Sequence, residues 1–214
     1  MADSQDEWMD DDLKSWIKES EGTSDHMYKD SKGYVTIGHG HMIPDANAAK
    51  SIPFRFDSRD GRYATSSEVE SAFGKVSNSK KRNNSKEGFS PDSNREFDKI
   101  YLDEDEKDRL FQSDMKSSVS ELYRRKDMKF DSYPNSAKKA LFDMQFNMGS
   151  LNFSRVKPDG SGGFKPAWPK MFDAMEKRDW KAVSKESHRV DVSEGRNQRT
   201  RELFMSADEE EKNR

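Results

Sequence analysis

Residues 21–41 read Glu21-Gly-Thr-Ser-Asp-His-Met-Tyr-Lys-Asp-Ser-Lys-Gly-Tyr-Val-Thr-Ile-Gly-His-Gly-His41, and the remainder of the chain is best read outward from them. Just upstream, Leu13, Trp16 and Ile17 recur at i, i+3, i+4, which predicts a helix over about 11–20 with these three side chains turned to a core. Glu21 then falls at or just beyond the helix C-terminus, with Gly22 as its stop. Beyond Gly22 the pattern changes to that of a β-hairpin. His26-Met-Tyr-Lys-Asp30 and Tyr34-Val-Thr-Ile-Gly38 are rich in aromatic and β-branched residues and are joined by the polar corner Ser31-Lys32-Gly33. Asp30 sits at that corner. His39 and His41, two apart, are expected on one face of a strand.

A carboxylate at a helix end and a second one nine positions later on a hairpin have the chemistry of glycoside hydrolysis. One acid protonates the leaving oxygen and the other assists water. Spacing alone does not single this pair out in a chain with 41 Asp and Glu. The order of residues does more. Glu-Gly, then Tyr-Lys-Asp, then Gly-Tyr-x-Thr-Ile-Gly-x-Gly-His resembles the catalytic signature of the phage T4-type lysozymes, a family of peptidoglycan muramidases.

The resemblance implies an α+β, mainly helical two-lobed fold with a small hairpin-bearing N-terminal lobe, a long linking helix and a helical C-terminal lobe. It implies Glu21 as general acid, Asp30 as second carboxylate and Thr36 as the residue that helps place the attacking water. It pairs His41 with Asp114 on the long helix and leaves His39 without a role. Ala140-Leu-Phe-Asp-Met-Gln-Phe-Asn-Met-Gly149 is similar to the family's central C-lobe helix, where Asn147 would face the cleft as a sugar-binding amide. Counting back from Phe204 puts Arg196 at the position whose guanidinium approaches the catalytic glutamate. The implied activity is hydrolysis, with inversion, of the β-1,4 bond between N-acetylmuramic acid and N-acetylglucosamine. A lytic transglycosylase and an inactive peptidoglycan-binding module are the alternatives. His39 and His41 with Glu21 or Asp30 have the donor types of a metal site, but nothing nearby supplies a distinctive further ligand on rigid structure. No metal or other cofactor is expected.

Length and charge frame this reading. The 214 residues suffice for one domain or a two-lobed unit with a proper core. The hydrophobic share is 31% against 37% charged, which by itself leans toward disorder, but 13 Phe, 11 Met and 4 Trp supply large side chains to bury. Net charge is −3, yet residues 1–12 hold six acids and no base, and residues 208–214 hold four acids and two bases. That leaves 36 bases against 31 acids, or +5, over residues 13–207. A basic body suits a polyanionic target, a bacterial wall or equally a nucleic acid, and is also compatible with an ordinary solvated surface. The expected partner is the peptidoglycan glycan strand, with a cognate immunity protein if the chain is a secreted effector. No nucleic-acid motif, membrane span or secretory leader is expected, and the chain reads as a monomer. It would be made in the cytoplasm and reach the wall in the periplasm by another system. A holin-released endolysin, a secretion-system effector and a domain cut from a longer polypeptide remain open.

The expected segmentation is an acidic tail at 1–12, a catalytic lobe at 13–101, a linking helix at 102–125, a helical lobe at 126–207 and an acidic tail at 208–214. Residues 54–101 are read as an insertion relative to the family. Within it a helix is predicted over 65–76, capped by Thr65 or Ser66 with Glu68 near N3, ahead of the basic run Lys80-Lys81-Arg82-Asn83-Asn84. Asp103 and Glu106 make a capping-box-like start to the linking helix, and Pro134 opens the next one. Leu151–Pro166 is read as a flexible loop. Trp168, Phe172, Trp180 and Val183 are core candidates on two short helices, and Ser193–Phe204 is the arginine-bearing helix.

Overall fold

Asp11–Glu21 forms the first helix, α1, and buries Leu13, Trp16 and Ile17 at the predicted spacing. Gly22 follows with φ +69°, a left-handed conformation that glycine adopts without steric cost and that ends the helix there. The computed structural model describes residues 7–30, 32–80, 99–149, 153, 156–158, 161 and 163–214. Residues 1–6 of the acidic tail, Lys81 to Asn84 of the basic run, and Asp159, Gly160 and Gly162 of the glycine-rich loop lie outside the described residues.

The chain forms two compact units. One is Glu21–Asp114; the other is Met1–Ser20 with Met115–Arg214. In the first, β1 (Ser24–Lys29), β2 (Val35–Gly38) and β3 (His41–Ile43) make an antiparallel sheet in chain order. Tyr28 pairs with Thr36, and Thr36 with Met42, with a register irregularity between Ser24 and Tyr28. The hairpin closes as expected: the Asp30 amide donates to Tyr34 O (2.9 Å) and Gly33 N donates to Asp30 O (3.1 Å). Met27, Val35, Ile37 and Ile43 from the sheet share a core with Ala49 of α2 (Ala46–Lys50) and with Val69, Ala72 and Val76 of α3 (Ser66–Asn78). β4 (Arg55–Phe56) pairs with β5 (Ile100–Tyr101), and Phe54 and Ile100 join the same core. The described ends of the 54–101 segment are therefore structural parts of this unit. Thr65 and Glu68 form a complete capping box on α3, worth about 1 kcal/mol.

α4 (Glu104–Arg124) is the long helix, and the unit boundary falls within it, after Asp114. Asp103 Oδ1 accepts from the Glu106 amide (2.9 Å), while the Glu106 side chain takes Arg109, so only half of the anticipated capping box forms. In the second unit a 3₁₀ turn at Phe130–Ser132 precedes α5 (Asn135–Met148), which starts one residue after Pro134. Ala137, Ala140, Leu141, Phe142, Asp143 and Met144 are all buried, so α5 is covered on more sides than a single amphipathic stripe requires. α6 (Pro169–Glu176), α7 (Trp180–Glu186) and α8 (Glu194–Lys212) complete the unit. Phe172, Trp180 and Val183 are core, whereas Trp168 is half-buried at the N-cap of α6.

Three local expectations change. Val156–Pro158 and Phe164–Pro166, read as loop, pair as the antiparallel strands β6 and β7. Residues 208–212, read as tail, continue α8 because distant groups use their acids. Glu211 accepts two bonds from the Arg178 guanidinium (2.8 and 3.0 Å) and one from Trp180 Nε1 (3.1 Å), and Glu210 accepts from the Ser136 hydroxyl. Burial works to raise the Glu211 pKa, but the Trp180 and Arg178 bonds outweigh it and hold the carboxyl below its ordinary value. Trp8, read as part of the N-terminal tail, is buried, with its ring edge-on to Phe130 and Phe142 and Nε1 donating to Tyr123 Oη at 3.2 Å. Among the described residues, no helix is long and apolar enough to cross a membrane.

Candidate functional site

Glu21 is the last residue of α1, half-buried. A Cβ placed on Gly40 would stand 3.5 Å from Glu21 Oε2, so the carboxylate lies against the backbone of the turn between β2 and β3. That turn is shaped by Gly38 (φ +61°) and Gly40 (φ +85°). His39, between them, is buried and points its Nδ1 at Gly22 O, 2.8 Å away. A carbonyl oxygen only accepts, so Nδ1 carries the proton. The His39 ring also meets Phe111 of α4 edge-on, centroids 5.5 Å apart.

His39 and His41 consequently do not share a strand face. His39 lies in the turn and His41 opens β3, where its Nδ1 lies 3.0 and 2.9 Å from the two oxygens of Asp114. The structure thus brings His41 and Asp114 together and gives His39 a different partner, Gly22. No sequence signal marked that second bond. Among the described residues there is also no group of three or more His, Cys, Asp or Glu arranged to hold a metal ion.

Asp30 is half-buried at the hairpin corner, and its Oδ1 accepts from the Lys32 amide (2.9 Å) and the Tyr34 amide (2.7 Å). One oxygen therefore shapes the turn while the carboxylate keeps a fixed orientation. Thr36 is buried in β2, its Oγ1 donating to Tyr34 O at 3.3 Å. Tyr28, opposite Thr36, is buried, and burial raises its hydroxyl pKa well above the ordinary tyrosine value, reinforced by the charges of Asp30 and Glu21. It stays protonated at neutral pH and couples electrostatically to both carboxylates. Tyr28 was legible in the sequence only as a strand residue.

Near the same sheet, Lys107 of α4 is almost fully buried and donates to Asp25 Oδ1 and Glu104 Oε1, both at 2.6 Å. Asp25 also accepts from Arg59. Burial opposes charge at Asp25, yet the Lys107 and Arg59 contacts prevail and hold its carboxyl below the usual range. For Lys107 burial is likewise outweighed, by Asp25 and Glu104, and its pKa is raised.

In the other unit, Asn147 lies half-buried in the last turn of α5. Arg196 of α8 is buried and its Nε donates to Asp143 Oδ1 at 2.7 Å. Asp143, fully buried, also accepts from Arg189 (2.6 Å) and the Thr200 hydroxyl (3.0 Å) on Oδ2. Asn197 accepts from the Arg189 amide at 3.1 Å and donates to its carbonyl at 2.8 Å. This buried network around Asp143 was not anticipated, because its members lie 46 to 57 positions from Asp143.

A mainly helical α+β chain with a small antiparallel sheet, carrying a glutamate at a helix end against a glycine turn of that sheet, has the lysozyme-like architecture. No family model matches the sequence. It is 26% identical over 182 residues to "Probable T4-type lysozyme 2" of Dictyostelium discoideum, spanning 83% of this chain and 90% of the relative. To "Probable T4-type lysozyme 1" of the same organism it is 40% identical over 73 residues, 29% of this chain and 43% of the relative. Over most of its length the chain is thus similar to proteins named T4-type lysozymes, in line with the resemblance over residues 21–41.

Proposed function

We propose that this protein is a muramidase that hydrolyses the β-1,4 bond between N-acetylmuramic acid and N-acetylglucosamine in peptidoglycan, with Glu21 as the general acid. The observation that carries this reading is the seat of Glu21: a half-buried carboxylate at the end of α1, against the Gly38–His41 turn, on the sheet that also bears Asp30 and Thr36.

In the proposed mechanism Glu21 protonates the glycosidic oxygen as the bond to the anomeric carbon breaks. A water deprotonated with help from Asp30 attacks that carbon from the opposite face, and Thr36 helps to place the water. The Lys32 and Tyr34 amides, both donating to Oδ1, fix the orientation of Asp30 for this role. Asn147 is proposed as a sugar-binding amide. Lysozyme-like relatives imply peptidoglycan as the substrate, and the protein would meet it at the cell wall after release or delivery by another system.

Product analysis tests the reaction type. Digests of purified peptidoglycan should end in reducing N-acetylmuramic acid; 1,6-anhydromuramic ends would identify a lytic transglycosylase, which needs neither Asp30 nor Thr36. An intact sacculus that binds the protein without losing glycan chain length would identify a binding module.

A further inference from the structure

The turn from Gly38 to His41 touches the Glu21 region twice. Gly40 lies against the Glu21 carboxylate, and His39 Nδ1–H donates to the carbonyl of Gly22, the residue that follows Glu21. The His39 ring is 8% exposed and is held edge-on against Phe111, so its donor has little freedom to wander. Gly22 has φ +69°, at the end of a helix whose last carbonyls have no intrahelical partner. The carbonyl of Gly22, one residue beyond α1, accepts its bond from His39 at 2.8 Å. The next residue but one, His41, is bonded to Asp114 of α4, which anchors the far side of the same turn.

From this geometry we infer that His39 is a positioning residue for Glu21: its bond to Gly22 O locks the end of α1 to the glycine turn and so fixes where the Glu21 carboxyl presents its proton. The inference rests on the muramidase reading above. It explains why a buried, donor-bearing ring stands between two left-handed glycines where an aliphatic side chain would fill the space against Phe111 equally well. Catalytic groups lose rate steeply when displaced by as little as 1 Å, so the effect of losing the tether falls on turnover more than on binding.

The test compares wild type, His39→Leu and His39→Asn on soluble peptidoglycan strands, with melting temperatures and the titration of the Glu21 carboxyl followed by ¹³C NMR. Leu keeps the apolar contact and removes the donor; Asn places an amide N–H near the position of Nδ1. We expect His39→Leu to stay folded, to lose roughly tenfold in kcat with KM within about twofold, and to shift the Glu21 titration. His39→Asn should recover most of kcat and return the titration toward wild type. A folded His39→Leu with kcat and Glu21 titration unchanged would overturn the inference, as would a folded His39→Asn no better than Leu. Wild-type protein inert on peptidoglycan would instead count against the muramidase reading, and the Glu21 titration would still decide whether His39 acts on that carboxyl.

Discussion

His41 presents Nδ1 to both carboxylate oxygens of Asp114, at 3.0 and 2.9 Å, and so ties the first residue of β3 to α4 within the unit that carries Glu21. Both side chains are partly exposed, 24% and 32%, so water competes for the pair and its net worth is about 1 kcal/mol. A double-mutant cycle with His41→Phe and Asp114→Asn, read by urea denaturation, should give a coupling energy of that order. Strictly additive losses would show that the contact contributes nothing.

Gly40 faces two constraints of unequal weight. A Cβ there would make only ordinary contact with Glu21 Oε2, at 3.5 Å, whereas its φ of +85° is one that side chains rarely adopt. Gly40→Ala is therefore expected to destabilise by about 1–2 kcal/mol through backbone strain, and to reduce turnover by shifting the turn under Glu21. A melting temperature and a kcat equal to wild type would contradict this.

Asp143 pairs with both Arg189 (2.6 Å) and Arg196 (2.7 Å), and all three are buried. Asp143→Ala removes the buried carboxylate that both guanidinium groups share. A loss of roughly 3–5 kcal/mol is expected, read as a fall in the denaturation midpoint. A loss below ~1 kcal/mol would mean that water or neighbouring groups replace the carboxylate.

Acid should weaken the unit that carries the sheet through Asp25. Its carboxyl is held below the unfolded value by Lys107 and Arg59 against the effect of burial. The folded state thus binds fewer protons than the unfolded chain in this range, and the stabilisation is complete above the unfolded pKa of about 3.9. It is lost as pH falls below that value and through the lower folded pKa. Melting temperatures from pH 6 to pH 2.5 should drop more for wild type than for Asp25→Asn below about pH 4; parallel curves would rule the pair out as a source of acid sensitivity.

Local signals made much of this molecule legible before its structure. The i, i+3, i+4 stripe of Leu13, Trp16 and Ile17, the Gly22 stop, the Asp30 corner and the Thr65–Glu68 cap each depend on residues a few positions apart. What escaped depends on distance or on backbone sign. His39 and His41 read as one strand face because spacing says nothing of Gly38 and Gly40 having positive φ. Trp8 and the acids of 208–212 read as tails because local charge dominates there. Their partners Tyr123, Arg178 and Ser136 lie 115, 33 and 74 positions away. Asp143 looked like one more polar residue on α5 until α8 and the chain before it supplied Arg196, Thr200 and Arg189.

The assignment of Glu21 as general acid is tested by the initial rate of glycan cleavage in purified peptidoglycan by wild type and by Glu21→Gln at matched folded concentration. Gln keeps the shape and polarity of the side chain but has no proton to give. Wild type should release reducing N-acetylmuramic ends, and Glu21→Gln should be slower by on the order of 10² or more with an unchanged melting temperature. A folded Glu21→Gln within a few fold of the wild-type rate would contradict the assignment.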